Sequence, residues 1–180
     1  MGELGWELHH PMDKMETLYD AIMEAGEEFG IANFGTYAMN SLRMEKAYKG
    51  WGSELTTEIT PMEAGLDRFI DFSKCFIGRE ATLSRKLLGV NTKLVYVSVE
   101  TSDSDCLGNE PVLDNEQIIG VTTSGAYGHT VNQSLAFAYV QPQYAEPGTQ
   151  FKIKILEKNC IATVLTKAVH DPDNLRLRDV

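Results

Sequence analysis

Val95-Tyr96-Val97-Ser98-Val99-Glu100 alternates branched apolar residues with residues of mixed polarity, and a period of two is the mark of a half-buried β-strand. The pattern returns downstream in Phe151-Lys152-Ile153-Lys154-Ile155. Between them, Asp114-Asn115-Glu116 separates Val112-Leu113 from Ile118-Ile119 and reads as a hairpin turn. Glu157-Lys158-Asn159, ahead of Cys160 to Leu165, reads as another. Gly120 to Gly125 lacks the lysine and following helix of a phosphate-binding loop and reads as a turn between strands. Short strands at this spacing make an antiparallel sandwich or a small barrel.

Upstream of residue 90 the period lengthens, which places a boundary there and divides the chain into 1–90 and 91–180. Asp13 with Glu16 three residues on resembles a capping box, and Met15, Leu18, Tyr19 and Ile22 follow at helical spacing. A helix is expected from Asp13 to Ala25, ended by Gly26 or Gly30. A second is expected over Thr36 to Tyr48, and a third over Arg79 to Leu88, closed by Gly89. Trp6 to His10 reads as a single strand with little in this segment to pair with, so the first segment is expected to be half a domain. Tyr37 and Trp51 are large enough to wall a pocket, but residues of this kind are more often core, and Arg43 and Glu45 read as buried ion pairing that holds the fold.

The 180 residues, 43% of them apolar, suffice for a sizeable core. A net charge of −10 opposes binding to phosphate backbones and to anionic membrane surfaces, so no nucleic acid and no membrane are expected as partners. Apolar runs such as Leu135 to Val140 fall far short of the roughly 20 residues that span a bilayer, and the N-terminus lacks the pattern of a secretory signal. Cys75, Cys106 and Cys160 are odd in number and widely spaced, which favours a reducing compartment over a disulfide framework. His9, His10, His129 and His170 include no i, i+4 pair, so no metal site is expected.

Five segments occur in a familiar order: Gly2-Glu3-Leu4-Gly5-Trp6-Glu7-Leu8, Asn33-Phe34-Gly35-Thr36-Tyr37-Ala38-Met39-Asn40, Ser41-Leu42-Arg43-Met44-Glu45-Lys46, Pro61-Met62-Glu63-Ala64-Gly65-Leu66 and Phe76-Ile77-Gly78-Arg79-Glu80. With Thr122 to Gly125 and Ser134 to Val140, they resemble the C-terminal folate-binding region of the dimethylglycine and sarcosine dehydrogenase family. More distantly, Leu42 to Glu45 and Thr60 to Leu66 are similar to the aminomethyltransferase of the glycine cleavage system. The resemblance implies an α+β chain: a partial aminomethyltransferase-like folate-binding lobe followed by a small antiparallel β-barrel. It also implies tetrahydrofolate as ligand, with FAD in an upstream flavin domain of the same polypeptide. No Gly-x-Gly-x-x-Gly fingerprint occurs here. The family's folate-side catalytic aspartate would precede residue 1, so no catalytic residue is assigned to this chain, and Met1 reads as an artificial start. The implied compartment is the cytoplasm, or the mitochondrial matrix in a eukaryote.

The resemblance aligns Glu7 with the carboxylate that grips the pteridine. An ionised carboxylate accepts the neighbouring ring N–H and amino donors of an aminopyrimidinone edge in a bidentate arrangement. On a strand, Glu7 faces a cleft while Trp6 and Leu8 face the other way. Leu8 and His9 carry over as the continuation of that strand, His9 standing where relatives have tyrosine. Arg68 stands where relatives have an aromatic residue, and it can stack on a ring or pair with the folate glutamate tail. Met39 occupies the place of a folate-binding arginine in the glycine cleavage relatives, which favours the dehydrogenase branch. Two other readings stay open. One is a folate-binding iron–sulfur assembly accessory protein, on Lys74-Cys75-Phe76-Ile77-Gly78-Arg79-Glu80, where Arg79 replaces that group's glutamine. The other is a folate-dependent methyltransferase or demethylase of the same fold.

Overall fold

A computed structural model describes residues 3–178. Its centre is a closed antiparallel barrel of β1 (Lys93–Val99), β2 (Pro111–Asp114), β3 (Gln117–Gly128), β4 (Gln133–Val140), β5 (Gln150–Ile155) and β6 (Lys158–Val164), joined in the order β1-β4-β3-β2-β5-β6. Closure removes the exposed edges that an open sheet leaves for stray pairing. Of the two architectures the strand pattern allows, the barrel is the one formed.

The alternation read in the sequence sorts side chains between the two faces. Val95, Val97, Val99, Val112, Ile153, Ile155 and Val164 fill the interior, with the small residues Ala136, Ala138 and Ala162 between them. The opposite faces of β1 and β4 carry Tyr96, Leu135 and Phe137, which pack around Met44 of α2 (Thr36–Glu45). Strand β4 is therefore covered on both sides, which is why Leu135 to Val140 is continuously apolar rather than alternating.

Polar contacts fix α2 on the barrel. Ser41 Oγ donates to the Tyr127 carbonyl at 2.6 Å and Asn40 Nδ2 to the Gly125 carbonyl at 3.0 Å. Tyr96 Oη donates back to the Met44 carbonyl at 2.8 Å. The helix ends at Glu45, short of the expected Tyr48, because Ala47 takes φ 52° and the Tyr48 N–H turns back to the Arg43 carbonyl.

Other elements depart from expectation for identifiable reasons. Helix α1 (Met15–Gly26) is present but begins from a 3₁₀ turn at Met12–Lys14, and no side chain caps its N-terminus. Gly26 lies within it, and Gly30 at φ 71° ends the 3₁₀ turn that follows. Helix α3 (Arg79–Leu88) has the expected bounds, with Gly89 at φ 84°. Trp6 to His10 is unpaired among the described residues and exposed, since no neighbouring strand is there to hydrogen-bond it. Gly120 to Gly125 is not a turn but the interior of β3. A β-carbon on Gly120 would stand 2.2 Å from the Tyr139 carbonyl oxygen, so these glycines serve close strand approach. The second hairpin turns at Leu156 and Glu157, both at positive φ (44° and 68°), one residue earlier than read, and Lys158 already opens β6. The chain closes with the short α4 (Leu175–Arg178). No helix among the described residues is long and apolar enough to cross a membrane.

Candidate functional site

The loop after α2 is anchored by one buried carboxylate. Glu54 is fully enclosed and accepts from Arg43 Nη1 at 2.9 Å, the Gly50 N–H at 2.7 Å, Thr123 Oγ1 at 2.6 Å and Ser124 Oγ. A bulge in β3 between Thr122 and Ser124 inserts Thr123, so two adjacent hydroxyls reach the same carboxylate. Arg43 is thus the ion-pairing residue expected, with Glu54 as its partner. Glu45 instead accepts the Thr130 N–H at 2.6 Å.

This anchoring holds the loop against the barrel mouth and leaves a cleft of about 370 Å³. Leu94 lines it together with Tyr96 and Phe137, the last two nearly enclosed by their packing around Met44, while Lys49, Arg68 and Lys167 supply cations around it. Burial, and after it the Arg68 charge, hold the Lys49 ammonium below its ordinary range, against the opposing pull of Glu54 and Asp67. Lys49 Nζ has the Gly65 carbonyl at 3.5 Å, and among the described residues neither Lys49 nor Arg68 has a carboxylate oxygen within 4.0 Å. Lys167 faces Asp173 at 3.5 Å. Lys49 and Arg68, neither of them paired with a carboxylate among the described residues, make this cleft suited to a ligand with an anionic group.

Of the residues marked in the sequence, Arg68 lines this cleft and lies over the Phe69 ring at 4.6 Å. Glu7, Leu8 and His9 do not line it; they lie on the exposed segment before α1, where the Glu7 carboxylate is 3.9 Å from His9 Nε2 and its side chain is 93% exposed. That segment is tied to the C-terminal region through Glu3, which meets Arg176 Nη1 at 3.2 Å and His170 Nε2 at 3.5 Å. Burial acts upward on the Glu3 carboxyl, and the contacts with Arg176 and His170 outweigh it and hold the group below its ordinary value. Tyr37 and Trp51 are 95% and 78% exposed and are not core residues among those described. Sequence reasoning missed Lys49, Lys167 and Glu54. No periodicity marks them, because only the closure of the barrel brings residues from both ends of the chain to one cleft.

The GCVT N-terminal domain model matches residues 1–74, and that of the glycine cleavage T-protein C-terminal barrel domain matches residues 93–171. The chain is 45% identical over 181 residues to human mitochondrial dimethylglycine dehydrogenase, covering 98% of the chain and 21% of that protein. It is 32% identical over 189 residues to mouse mitochondrial sarcosine dehydrogenase, covering 20% of it. The chain thus spans about a fifth of the length of these relatives. Its fold matches the glycine cleavage system aminomethyltransferase T from Bartonella henselae at a TM-score of 0.82 and 23% identity, over 90% of this chain and 45% of that one. With both domain models matched in order and a barrel of the corresponding fold, the chain belongs to the glycine cleavage T-protein family, and within it is similar to the dimethylglycine and sarcosine dehydrogenases.

Proposed function

We propose that this chain supplies part of the tetrahydrofolate site of a flavin-dependent N-methyl amine dehydrogenase of the dimethylglycine or sarcosine type. The observation that carries the reading is 45% identity to dimethylglycine dehydrogenase along 98% of the chain. In this reading residues 1–90 belong to the folate-binding lobe and 91–180 to the barrel. FAD belongs to an upstream flavin domain of the intact polypeptide, and the compartment is the cytoplasm or a mitochondrial matrix. The described residues offer nothing shaped for a flavin diphosphate: the one helix following a left-handed glycine, α3 after Gly78, carries no glycine-rich turn.

The residues present fit a folate better. Glu7 presents an accessible carboxylate able to accept the paired N–H donors of a pterin edge, fixing orientation without moving a proton. Leu8 and His9 flank it on the same extended segment, and Arg68 stands in the cationic cleft. Tetrahydrofolate supplies the nitrogen nucleophiles that take up the released one-carbon unit, giving 5,10-methylenetetrahydrofolate.

Titration of the intact enzyme with tetrahydrofolate, followed calorimetrically, tests this. Glu7→Ala is expected to weaken binding about tenfold or more, the loss of a charge-assisted bidentate contact, while leaving flavin reduction by the amine unchanged. Unaltered affinity in that variant would remove Glu7 from the site.

A further inference from the structure

We propose that Arg176 is a positioning residue for the pterin-gripping carboxylate: by pairing with Glu3 it ties the extended segment that carries Glu7 to the C-terminal strap. The inference rests on the folate reading above and adds a residue that reading leaves out. Segment 3–10 has no strand partner, and among the described residues no main-chain hydrogen bond joins it to another element. Most of its polar side chains stay local: Glu7 and His9 meet each other at 3.9 Å, and His10 Nδ1 lies 2.9 Å from the neighbouring Pro11 carbonyl. Among the described residues, the polar contacts of this segment with a distant part of the fold all run through Glu3, which accepts from Arg176 Nη1 at 3.2 Å and has His170 Nε2 at 3.5 Å. Downstream the segment runs into α1, which buries no side chain and so offers no firm second anchor.

A tether positions a group only if its far end is held, and the strap is held at several points. The His170 N–H donates to the Glu45 carbonyl at 3.1 Å. Lys46, its side chain 2% exposed, donates to the Asp171 carbonyl at 2.8 Å and to Asp171 Oδ2 at 2.9 Å. Asp171 Oδ1 accepts the Leu175 N–H at 2.8 Å, and Tyr48 Oη donates to Asn174 Oδ1 at 3.2 Å. The backbone takes φ 40° at Asp171 and 54° at Asn174, left-handed turns that Asp and Asn tolerate better than other residues and that bring His170 and Arg176 to the same carboxylate. Because α2 is itself fixed on the barrel, contacts run without a break from the barrel through α2 and the strap to Glu3. Glu7 is four residues further on, within about 14 Å along a fully extended chain. Fixing Glu3 therefore confines the Glu7 carboxylate, and releasing it lets that carboxylate range more widely. The Glu3 and Arg176 side chains are 45% and 62% exposed. Ion pairs this open add little to folding, so the consequence of this one falls on ligand placement rather than on stability.

The test is calorimetric titration of the intact dehydrogenase with tetrahydrofolate. Glu3→Gln and Arg176→Met are each expected to weaken binding about two- to fivefold, the range of an exposed ion pair, with urea midpoints that do not move. Arg176→Lys keeps the charge and is expected to retain most of the affinity. The double variant Glu3→Gln/Arg176→Met is expected to bind like either single variant, since both break one contact. Neither substitution is expected to weaken binding further in a Glu7→Ala background, because a positioning residue acts only through the group it places. A further loss in that background overturns the proposal, since Arg176 then meets the ligand or supports the fold directly. Parent-like affinity in Glu3→Gln and Arg176→Met also overturns it, because the rest of the polypeptide then holds the segment. The two readings fail separately. If Glu7→Ala binds as the parent does, the folate assignment of Glu7 falls. A weakened Glu7→Ala beside parent-like Glu3→Gln and Arg176→Met leaves that assignment standing and removes only the positioning role.

Discussion

Glu54 has no water to solvate it, so each of its protein contacts substitutes for one it would make in solution. Removing it leaves Arg43, itself 12% exposed, without its partner. Glu54→Ala is therefore expected to lower stability by about 3–5 kcal/mol, read as a shift of the urea midpoint at constant slope. The double variant Arg43→Met/Glu54→Leu is expected to recover much of that loss, because no uncompensated charge remains. Asp171 behaves differently. The hydrogen bond from Lys46 Nζ at 2.9 Å holds its carboxyl below the usual value of 3.8, against the opposing effect of burial. A carboxyl depressed in the folded state adds stability that is complete above its unfolded pKa and disappears as pH falls through the folded one. Acid unfolding of Asp171→Asn, which lacks this contribution at every pH, is expected to show a shallower loss below pH 4 than the parent chain, and an identical pH profile would assign the acid limb to other carboxyls. Cys106 is pushed up to about 12 by burial and then by Glu110 and Asp105, so its thiol is protonated and shielded. Thiol titration in native buffer should modify Cys75 rapidly and reach the buried Cys106 and Cys160 only on unfolding.

At the scale of elements, strand β3 shows what sequence patterns convey and where they stop. The alternation in β1 and β5 was legible because each of those strands has one face inside the barrel. Helix α3 was legible to its end residues because Gly78 and Gly89 both take positive φ and leave no other place to stop. In β3 the glycines that resemble turn formers are instead demanded by neighbours. A β-carbon on Gly125 would lie 2.6 Å from the Cys106 carbonyl oxygen and 2.7 Å from its Cβ. The segment holding Cys106 is distant in sequence, so no local window could separate close approach from turning. Gly125→Ala is accordingly expected to cost about 1–3 kcal/mol by overpacking, measured by thermal or urea unfolding. A Gly30→Ala change has open space around it and is strained only by its φ of 71°, so its expected cost is about 1 kcal/mol. The family motifs placed Glu7 and Arg68 in sequence, but the cleft that holds Arg68 depends on Lys49 and Lys167, which no motif joins.

Across the whole molecule, order and burial divide unevenly. The barrel and α2 hold the buried apolar residues, whereas α1 buries none of its side chains and Trp6, Met12, Phe29 and Phe34 before α2 are 64–85% exposed. A helix of 12 residues without packing is marginal in water, so α1 draws little stability from the barrel. Native-state hydrogen exchange is expected to separate the two. Amides of β1, β4 and β3 should exchange only by global unfolding, and those of α1 orders of magnitude faster, by local opening. Denaturant should leave the α1 rates nearly unchanged while accelerating the strands, since local fraying exposes little new surface. The tryptophans offer an independent reading: Trp6 and Trp51, 84% and 78% exposed, should be quenched by acrylamide almost as freely in the native chain as in urea. If α1 is instead protected to the level of β4, or the indoles are shielded, the apolar side chains before α2 are covered in solution by a second copy of the chain. Protection would then rise with protein concentration, which distinguishes association from packing within one molecule.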